Sequence, residues 1–434
     1  MDTQNPLTQI VEAQKNGIAK GIYSICSSNP FVIEACLLDA ADSDNCVLIE
    51  STSNQVNQFG GYTGMNPAQF AEFVHKLAEK VGFPKDRILL GGDHLGPNVW
   101  RREASDQAMQ KSCDLVADCV RAGYSKIHLD ASMRLADDPQ DIPLDTTTSA
   151  RRAALMCQAA EAAYQASADK GFQPVYIIGT EVPIPGGALS GETEVHVTLP
   201  EDARETIEIT RQAFQELSLE SAWERVIGLV VQPGVEFGDS SLIVYDRQKA
   251  DSLSKFIKGY QNLVFEAHST DYQSRENLRK MVEDHFAILK VGPALTFAFR
   301  EAVFALEMME KEVLAGNEEV VLSNLQAVME KVMLDQPEYW ISYYEGDDNT
   351  LRLARKFSYS DRLRYYWPNQ LVEQSLQRLI SNLTQYPVPV NIISQFMPKQ
   401  YHKVVRGHLD NDPVELIFDK IREMVSDYTY ACRV

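Results

Sequence analysis

LVFEAHSTDYQSRENLRKMVEDHFAILKVG (263–292) contains the repeating unit that decides the fold. Two short apolar runs, LVFEAHS (263–269) and FAILKVG (286–292), flank a helix-like segment. Each run has the length of a strand and is nearly continuously apolar, as expected of a strand buried on both faces of a parallel sheet. Similar runs recur towards the N-terminus: VIGLVVQ (226–232), VYIIGTE (175–181), KIHLDA (126–131), ILLGGDH (88–94), CVLIES (46–51) and GIYSICS (21–27). Between them, segments 66–81, 105–122, 148–170 and 200–217 carry apolar residues at three- and four-residue spacing, the pattern of a helix with one buried face. Asn29-Pro30 reads as an N-cap followed by proline at the first helical position. Thr198 and Glu201 have capping-box spacing. Eight strand–helix units predict an α/β fold, a (β/α)8 TIM barrel occupying residues 1–315. A doubly wound open sheet is the competing solution, but no GxGxxG follows the first strand.

Beyond residue 315 the strands stop. Segments 319–334, 349–357, 369–384 and 412–429 look helical, so residues 316–434 are read as a helical extension. No low-complexity linker separates it, which predicts that it packs on the barrel.

Charge narrows the function. Lys plus Arg number 41 against 61 Asp plus Glu, a net charge of −20. That excludes the basic footprint of a nucleic-acid binder and disfavours adhesion to anionic membranes. No run approaches the roughly 20 apolar residues of a membrane span, and the N-terminus has no basic-then-apolar signal region. The 7 cysteines form no CxxC pair, so neither a disulfide framework nor a zinc knuckle is expected. A soluble, cytoplasmic, reduced protein is the expectation.

Ionisable residues collect at the strand ends. The second run ends in Glu50, the third in Asp93-His94, and the fourth contains His128 and Asp130. The fifth ends in Glu181, the sixth in Gln232 and the seventh contains Glu266 and His268. The eighth contains Lys290. In a barrel these C-terminal ends meet on one face, where barrel active sites lie. His94, Glu181 and His268 could hold a divalent ion such as zinc with an open coordination position. Asp93, Asp130 and Glu266 are candidate general bases or partners that orient the histidines. Strand parity raises a conflict, because adjacent Asp93 and His94 cannot both point inward from a regular strand. For phosphate, Gly292-Pro293 leads into a helix whose N-terminus presents free N–H groups, and Ser269 and Thr270 add hydroxyls. Lys290 is read as a substrate-binding cation paired with a carboxylate such as Glu266. A Schiff-base role is disfavoured beside so many acids. The loop STSNQVNQFGGYTGM (51–65), with glycines at 60, 61 and 64, is a candidate lid.

These motifs carry a resemblance. IESTSNQVNQFGGYTGM, LGGDHLGPN, KIHLDASM, IGTEVPIPGGA, VVQPGVEF, FEAHSTDYQ and HFAILKVGPALTFA resemble the Z-subunit family of bacterial D-tagatose-1,6-bisphosphate aldolases. VMLDQPEYW, YSDRLRYYWP and ISQFMPKQY fit the same family. The resemblance implies an accessory subunit that stabilises a separate, zinc-dependent class II catalytic subunit and supports its full activity. The setting it implies is catabolism of galactitol or N-acetylgalactosamine, with a sugar phosphate as ligand. GGDHLG is similar to the Asp-His zinc segment of class II aldolases, which implies base and ligand roles for Asp93 and His94. Some similar proteins are metal-dependent ketose-phosphate epimerases, so activity of the chain by itself is the alternative. The family has also carried the label tagatose-6-phosphate kinase, but the sequence has neither a Walker A motif nor a kinase Gly-rich loop. SYSDRLRYYWP (358–368) is rich in Arg and aromatics. It suits either a subunit interface or the glue between extension and barrel.

Overall fold

The fold is given by a computed structural model, which describes residues 5–41, 43–139, 141–142, 144–168, 171–179 and 195–433. Eight parallel strands close into a barrel: β1 Ile22–Ile25, β2 Val47–Thr52, β3 Ile88–Leu95, β4 Tyr124–Leu129, β5 Val175–Ile178, β6 Val226–Val231, β7 Val264–Ala267 and β8 Phe286–Val291. Each strand pairs with its sequence neighbours, and β8 closes the ring on β1. All eight expected runs contain a barrel strand.

Helices 30–41, 67–81, 105–121, 146–166, 200–216, 247–257, 275–283 and 293–313 lie between or after the strands. The Asn29 side chain accepts the N–H groups of Phe31 and Val32 at 3.0 and 3.3 Å, so it caps the first of these. Asn66 and Gln69 form a reciprocal capping box on the second. The Thr198–Glu201 box does not form. Leu199 is the N-cap of helix 200–216 and makes no side-chain cap. The Thr198 hydroxyl instead accepts the N–H of Gln232 at 2.8 Å, tying this segment to the end of β6.

Two elements escaped the strand–helix pattern. Helix Leu7–Lys15 closes the N-terminal end of the barrel: Leu7, Ile10 and Val11 share a core with Ile22, Leu48, Leu89, Ile177 and Ile288. Glu236–Phe237 pairs with Leu242–Ile243 as a short antiparallel hairpin after β6, where the sequence suggests only a turn.

The C-terminal region is helical. Helices 325–335, 348–357 and 370–385 match expected segments, and 390–396 and 398–405 are additional. Residues 319–324 are not helical as expected, because the buried Glu310 carboxylate holds the Ser323 N–H at 3.1 Å and also its hydroxyl. The last helix, Pro413–Cys432, packs against helices 30–41, 275–283 and 293–313. Its Tyr428 hydroxyl donates to the Thr270 carbonyl at 2.9 Å. All 7 cysteines are free. Among the described residues, no helix is long and apolar enough to cross a membrane.

Candidate metal and acid–base site at the barrel mouth

Strand alternation sends every second side chain into the barrel. Towards the N-terminal end these residues are apolar: Leu48, Leu89, Val175, Ile177, Val264 and Ile288. One step further along the same strands they are ionisable. Leu48 is followed by Glu50, Val264 by Glu266 and His268, and Ile288 by Lys290. Lys126 and His128 belong to the same set on β4. Glu50, Lys126, His128 and Glu266 are all 0 % exposed. Such groups are tolerated only when paired, because removing an ion from water costs several kcal/mol.

The pairing is dense. Lys126 Nζ lies 2.6 Å from Glu50 Oε1 and 2.6 Å from Glu266 Oε2. Lys290 pairs with the other Glu50 oxygen and reaches Asp93 Oδ1 at 2.9 Å. Gly91 makes room for this layer, since a Cβ there would stand 2.8 Å from Glu50 Cγ. Burial pushes the Lys290 ammonium down, but Asp93, Glu50 and Glu266 outweigh it and hold it well above the usual lysine range. These carboxylates favour the charged Lys290 over the free amine that a Schiff base requires.

Three imidazoles converge above the ions. The rings of His94, His128 and His268 lie 4.8–5.3 Å apart, centroid to centroid. Each has one nitrogen near a carboxylate. His94 Nδ1 is 2.7 Å from Asp130 Oδ2, His268 Nε2 is 2.9 Å from Glu266 Oε1, and His128 Nδ1 is 3.3 Å from Asp93 Oδ1.

A bulge answers the parity conflict at Asp93-His94. On β3 the pairing steps from Gly92 to Leu95 while β4 advances only from Ile127 to Leu129. One extra residue is therefore accommodated on β3. His94 takes φ 46°, unusual for a residue with a side chain. Its N–H leaves the ladder and donates to His128 Nδ1 at 3.1 Å. Both Asp93 and His94 consequently face the mouth.

The environments pull the protonation states apart. Burial raises Asp93, but Lys290, His94 and His128 outweigh it and keep the carboxylate well below its usual range. Burial lowers His94, but Asp93 and Asp130 outweigh it and raise its pKa. Burial dominates at His268 and takes it down to about 4, so this ring is neutral at physiological pH. Asp130, held low by His94 despite its burial, stays ionised. An ionised carboxylate, a proton-retaining imidazole and a neutral imidazole thus share one cleft, the division expected of an acid–base site.

The donors form a compact set. Asp93, His128, Glu266 and His268 each offer one ligand atom, all within 4.8 Å of one another. Imidazole nitrogens with carboxylate oxygens suit zinc or a related ion. The residues therefore fit such an ion, with Asp93 beside it paired to Lys290. The set expected from sequence is changed in composition. His268 is in it and His128 joins, His94 lies beside it with Nδ1 on Asp130, and Glu181 lies outside the described residues.

The phosphate expectation fares differently. The N–H groups of Gly292 and Ala294 both donate to Asp271 Oδ1, at 3.0 and 2.8 Å, so the helix terminus is capped from within. Thr270 is fully buried and its hydroxyl donates to the Lys290 carbonyl at 2.7 Å. These contacts make Thr270 and the Gly292 turn structural. Ser269 does line the cleft. So do Asn54, Gln55 and Tyr62 from the loop after β2, as a lid would.

Arg364 and Tyr365 also line this cleft, from a distant part of the chain. The rest of SYSDRLRYYWP is glue. The Arg362 guanidinium lies 3.0 Å from the centre of the Tyr343 ring, and Trp367 packs edge-on to Phe299 at 4.7 Å. That burial removes this segment as an exposed subunit interface. Lys126 was the other residue missed, although the inward spacing of Lys126, His128 and Asp130 in KIHLDA was a signal for it.

The chain was compared with known proteins. The family model described as D-tagatose-1,6-bisphosphate aldolase subunit GatZ/KbaZ-like matches residues 7–433. A crystal structure from Sinorhizobium meliloti 1021, described as a probable tagatose 6 phosphate kinase, is 44% identical. It aligns over 95% of this chain and 100% of its own, with a TM-score of 0.86. Two aldolases align far more loosely. Fructose-bisphosphate aldolase from Campylobacter jejuni shares 15% identity over 87% of this chain and 91% of its own, with a TM-score of 0.47. The YdjI aldolase of Escherichia coli K12 shares 11% over 88% and 97%, with a TM-score of 0.43. With nearly its whole length matched, this chain belongs to the D-tagatose-1,6-bisphosphate aldolase subunit GatZ/KbaZ-like family.

Proposed function

We propose that this chain is the accessory Z subunit of a cytoplasmic D-tagatose-1,6-bisphosphate aldolase, in galactitol or N-acetylgalactosamine catabolism. It sustains a separate class II catalytic subunit, and its own barrel mouth binds the ketose phosphate together with a divalent ion. The family match supports the subunit role. The observation that carries the ligand site is the group of four donors within 4.8 Å beneath an open cleft.

His128 and His268 would hold the ion, with Glu266 as a carboxylate ligand. Zinc or a similar ion, when bound, would supply Lewis-acid polarisation of a ketose oxygen. The chain's own residues supply the proton chemistry. Asp93, ionised between Lys290 and His128, is the candidate proton acceptor. His94, oriented by Asp130, is the candidate donor. Glu266 fixes His268 and is itself neutralised by Lys126.

A second reading is favoured by one observation: the acid–base set is complete within a single chain. On that reading the protein is itself a metal-dependent ketose-phosphate epimerase or aldolase. The test is an assay of the purified chain with zinc, manganese or magnesium, on tagatose 1,6-bisphosphate, tagatose 6-phosphate and fructose 6-phosphate. The accessory role predicts no product alone and a gain in turnover when the chain is added to the catalytic subunit. Chelator-sensitive product from the chain alone would replace it with the second reading.

A further inference from the structure

We infer that Arg364, delivered to the barrel mouth by the C-terminal region, binds the phosphate monoester of the ketose phosphate, and that Tyr365 positions it. The inference rests on the ligand site proposed above and names the residue that recognises the anionic group.

Three observations lead to it. Arg364 lines the same cleft as Asp93, His94, His268 and Lys290. It makes no ion pair: among the described residues no carboxylate oxygen lies within 4.0 Å of it, and Asp271 and Asp361 act on it only from further away. Arg152, Arg225, Arg247 and Arg355 each have one at 2.5–2.7 Å. In a chain with 61 acidic and 41 basic residues, a half-buried arginine facing a cleft with no carboxylate in contact is placed to take an anion from outside. Finally, the other donors expected to take phosphate, Ser269 apart, are occupied. Asp271 holds the N–H groups of Gly292 and Ala294, Thr270 donates to a backbone carbonyl, and Lys290 is paired with Glu50 and Asp93.

The guanidinium is held for the task. Nη1 donates to the carbonyls of Ser360 and Asp361, the latter at 3.1 Å, and Nη2 donates to the Tyr365 hydroxyl at 2.9 Å. An arginine has five N–H donors. Those contacts leave Nε–H and one Nη2–H free to donate to an oxyanion. Tyr365 is fixed in turn. Its ring stacks on Tyr339 at 5.0 Å and 9°, and it meets Tyr62, from the loop after β2, edge-on at 4.9 Å. The C-terminal region thereby contributes a binding residue to a site whose other members come from the barrel strands and their loops.

The test is calorimetric titration of the full chain, with zinc or manganese present, with tagatose 6-phosphate, unphosphorylated tagatose and inorganic phosphate, for wild type, Arg364→Gln, Arg364→Lys and Tyr365→Phe. Arg364→Gln is expected to weaken tagatose 6-phosphate by about 10- to 100-fold, the worth of a charge-assisted hydrogen-bond pair, and to leave tagatose within about twofold. Arg364→Lys recovers only part of the loss, because an ammonium lacks the planar fork. Tyr365→Phe keeps the ring packing, so it tests the idea even if the Arg364 variants misfold, and a loss of about 3- to 10-fold confined to phosphorylated ligands is expected. Equal affinity of wild type and these variants for tagatose 6-phosphate overturns the inference while leaving the ketose-phosphate site standing. Wild type that binds tagatose but gains nothing from the phosphate overturns it as well. Wild type that binds none of the three removes both the inference and the ligand site proposed above.

Discussion

The two halves of the barrel interior use the same alternating positions for opposite ends. At the closed end, Leu48, Ile177, Val264 and Ile288 meet the plug helix in a dry apolar core. At the mouth, Glu50, Lys126, Glu266 and Lys290 fill equally buried positions with charge. The first arrangement stabilises the fold by apolar burial, at about 25 cal/mol per Å². The second exchanges costly desolvation for ion pairs and yields little net stability. Buried charge on one end only is what a binding or reaction site requires, and packing alone gives no reason for it.

The comparison can be broken first at Lys126. Lys126→Met leaves buried Glu266 without its ammonium partner at 2.6 Å and Glu50 with Lys290 alone, and should cost about 3–5 kcal/mol in a urea unfolding series. Adding Glu50→Gln and Glu266→Gln should restore most of that stability while divalent-metal binding remains lost. If the single variant were as stable as wild type, the ionic layer would not be the tightly paired network described here. At the closed end, Ile177→Ala should cost about 2–5 kcal/mol through cavity formation, with metal affinity unchanged in the same preparation.

Asp271 sharpens the contrast through pH. Burial raises its pKa from 3.8 to about 6, against the opposing pull of its two backbone N–H partners and Arg364. A raised folded-state pKa gives stability that is present below the unfolded value and lost as pH rises through the folded one. Asp271→Asn keeps an acceptor for the N–H groups of Gly292 and Ala294 but never ionises. It should be more stable than wild type at pH 8 by up to about 3 kcal/mol, two pKa units' worth, and the gain should vanish near pH 4. Thermal unfolding at the two pH values reads the difference, and a gain that persists at pH 4 would contradict the assignment. The smallest expected effect is at Gly91, where alanine crowds Glu50 and should cost about 1–3 kcal/mol.

Much of the barrel was legible because βα repetition writes a periodic signal into the sequence. All eight strand runs and the inward position of the strand-end ions follow from parity and apolar patterning. The hairpin at 236–243 was not legible, since two-residue strands carry no period. Neither was the β3 bulge, because an extra residue shows only against the strand it pairs with. The site was read in part. His94, His268, Asp93 and Glu266 meet as their strand positions suggested, and Asp130 orients His94. Thr270 and Gly292 looked like phosphate donors because hydroxyls and helix termini bind anions in general, but Tyr428 and Asp271 claim them from elsewhere in the chain. Arg364 could not have been found from local pattern. It lies 74 positions beyond Lys290, and only the packing of the C-terminal region carries it to the mouth.

The central claim is that the ionic mouth is a metal-dependent ketose-phosphate site. Its most direct test is calorimetric titration of chelator-treated chain with tagatose 1,6-bisphosphate, before and after zinc or manganese is restored. The account predicts one-to-one binding that appears only with metal and disappears in His128→Ala and His268→Ala. Binding indifferent to chelator and to both substitutions, or no binding under any condition, would contradict it.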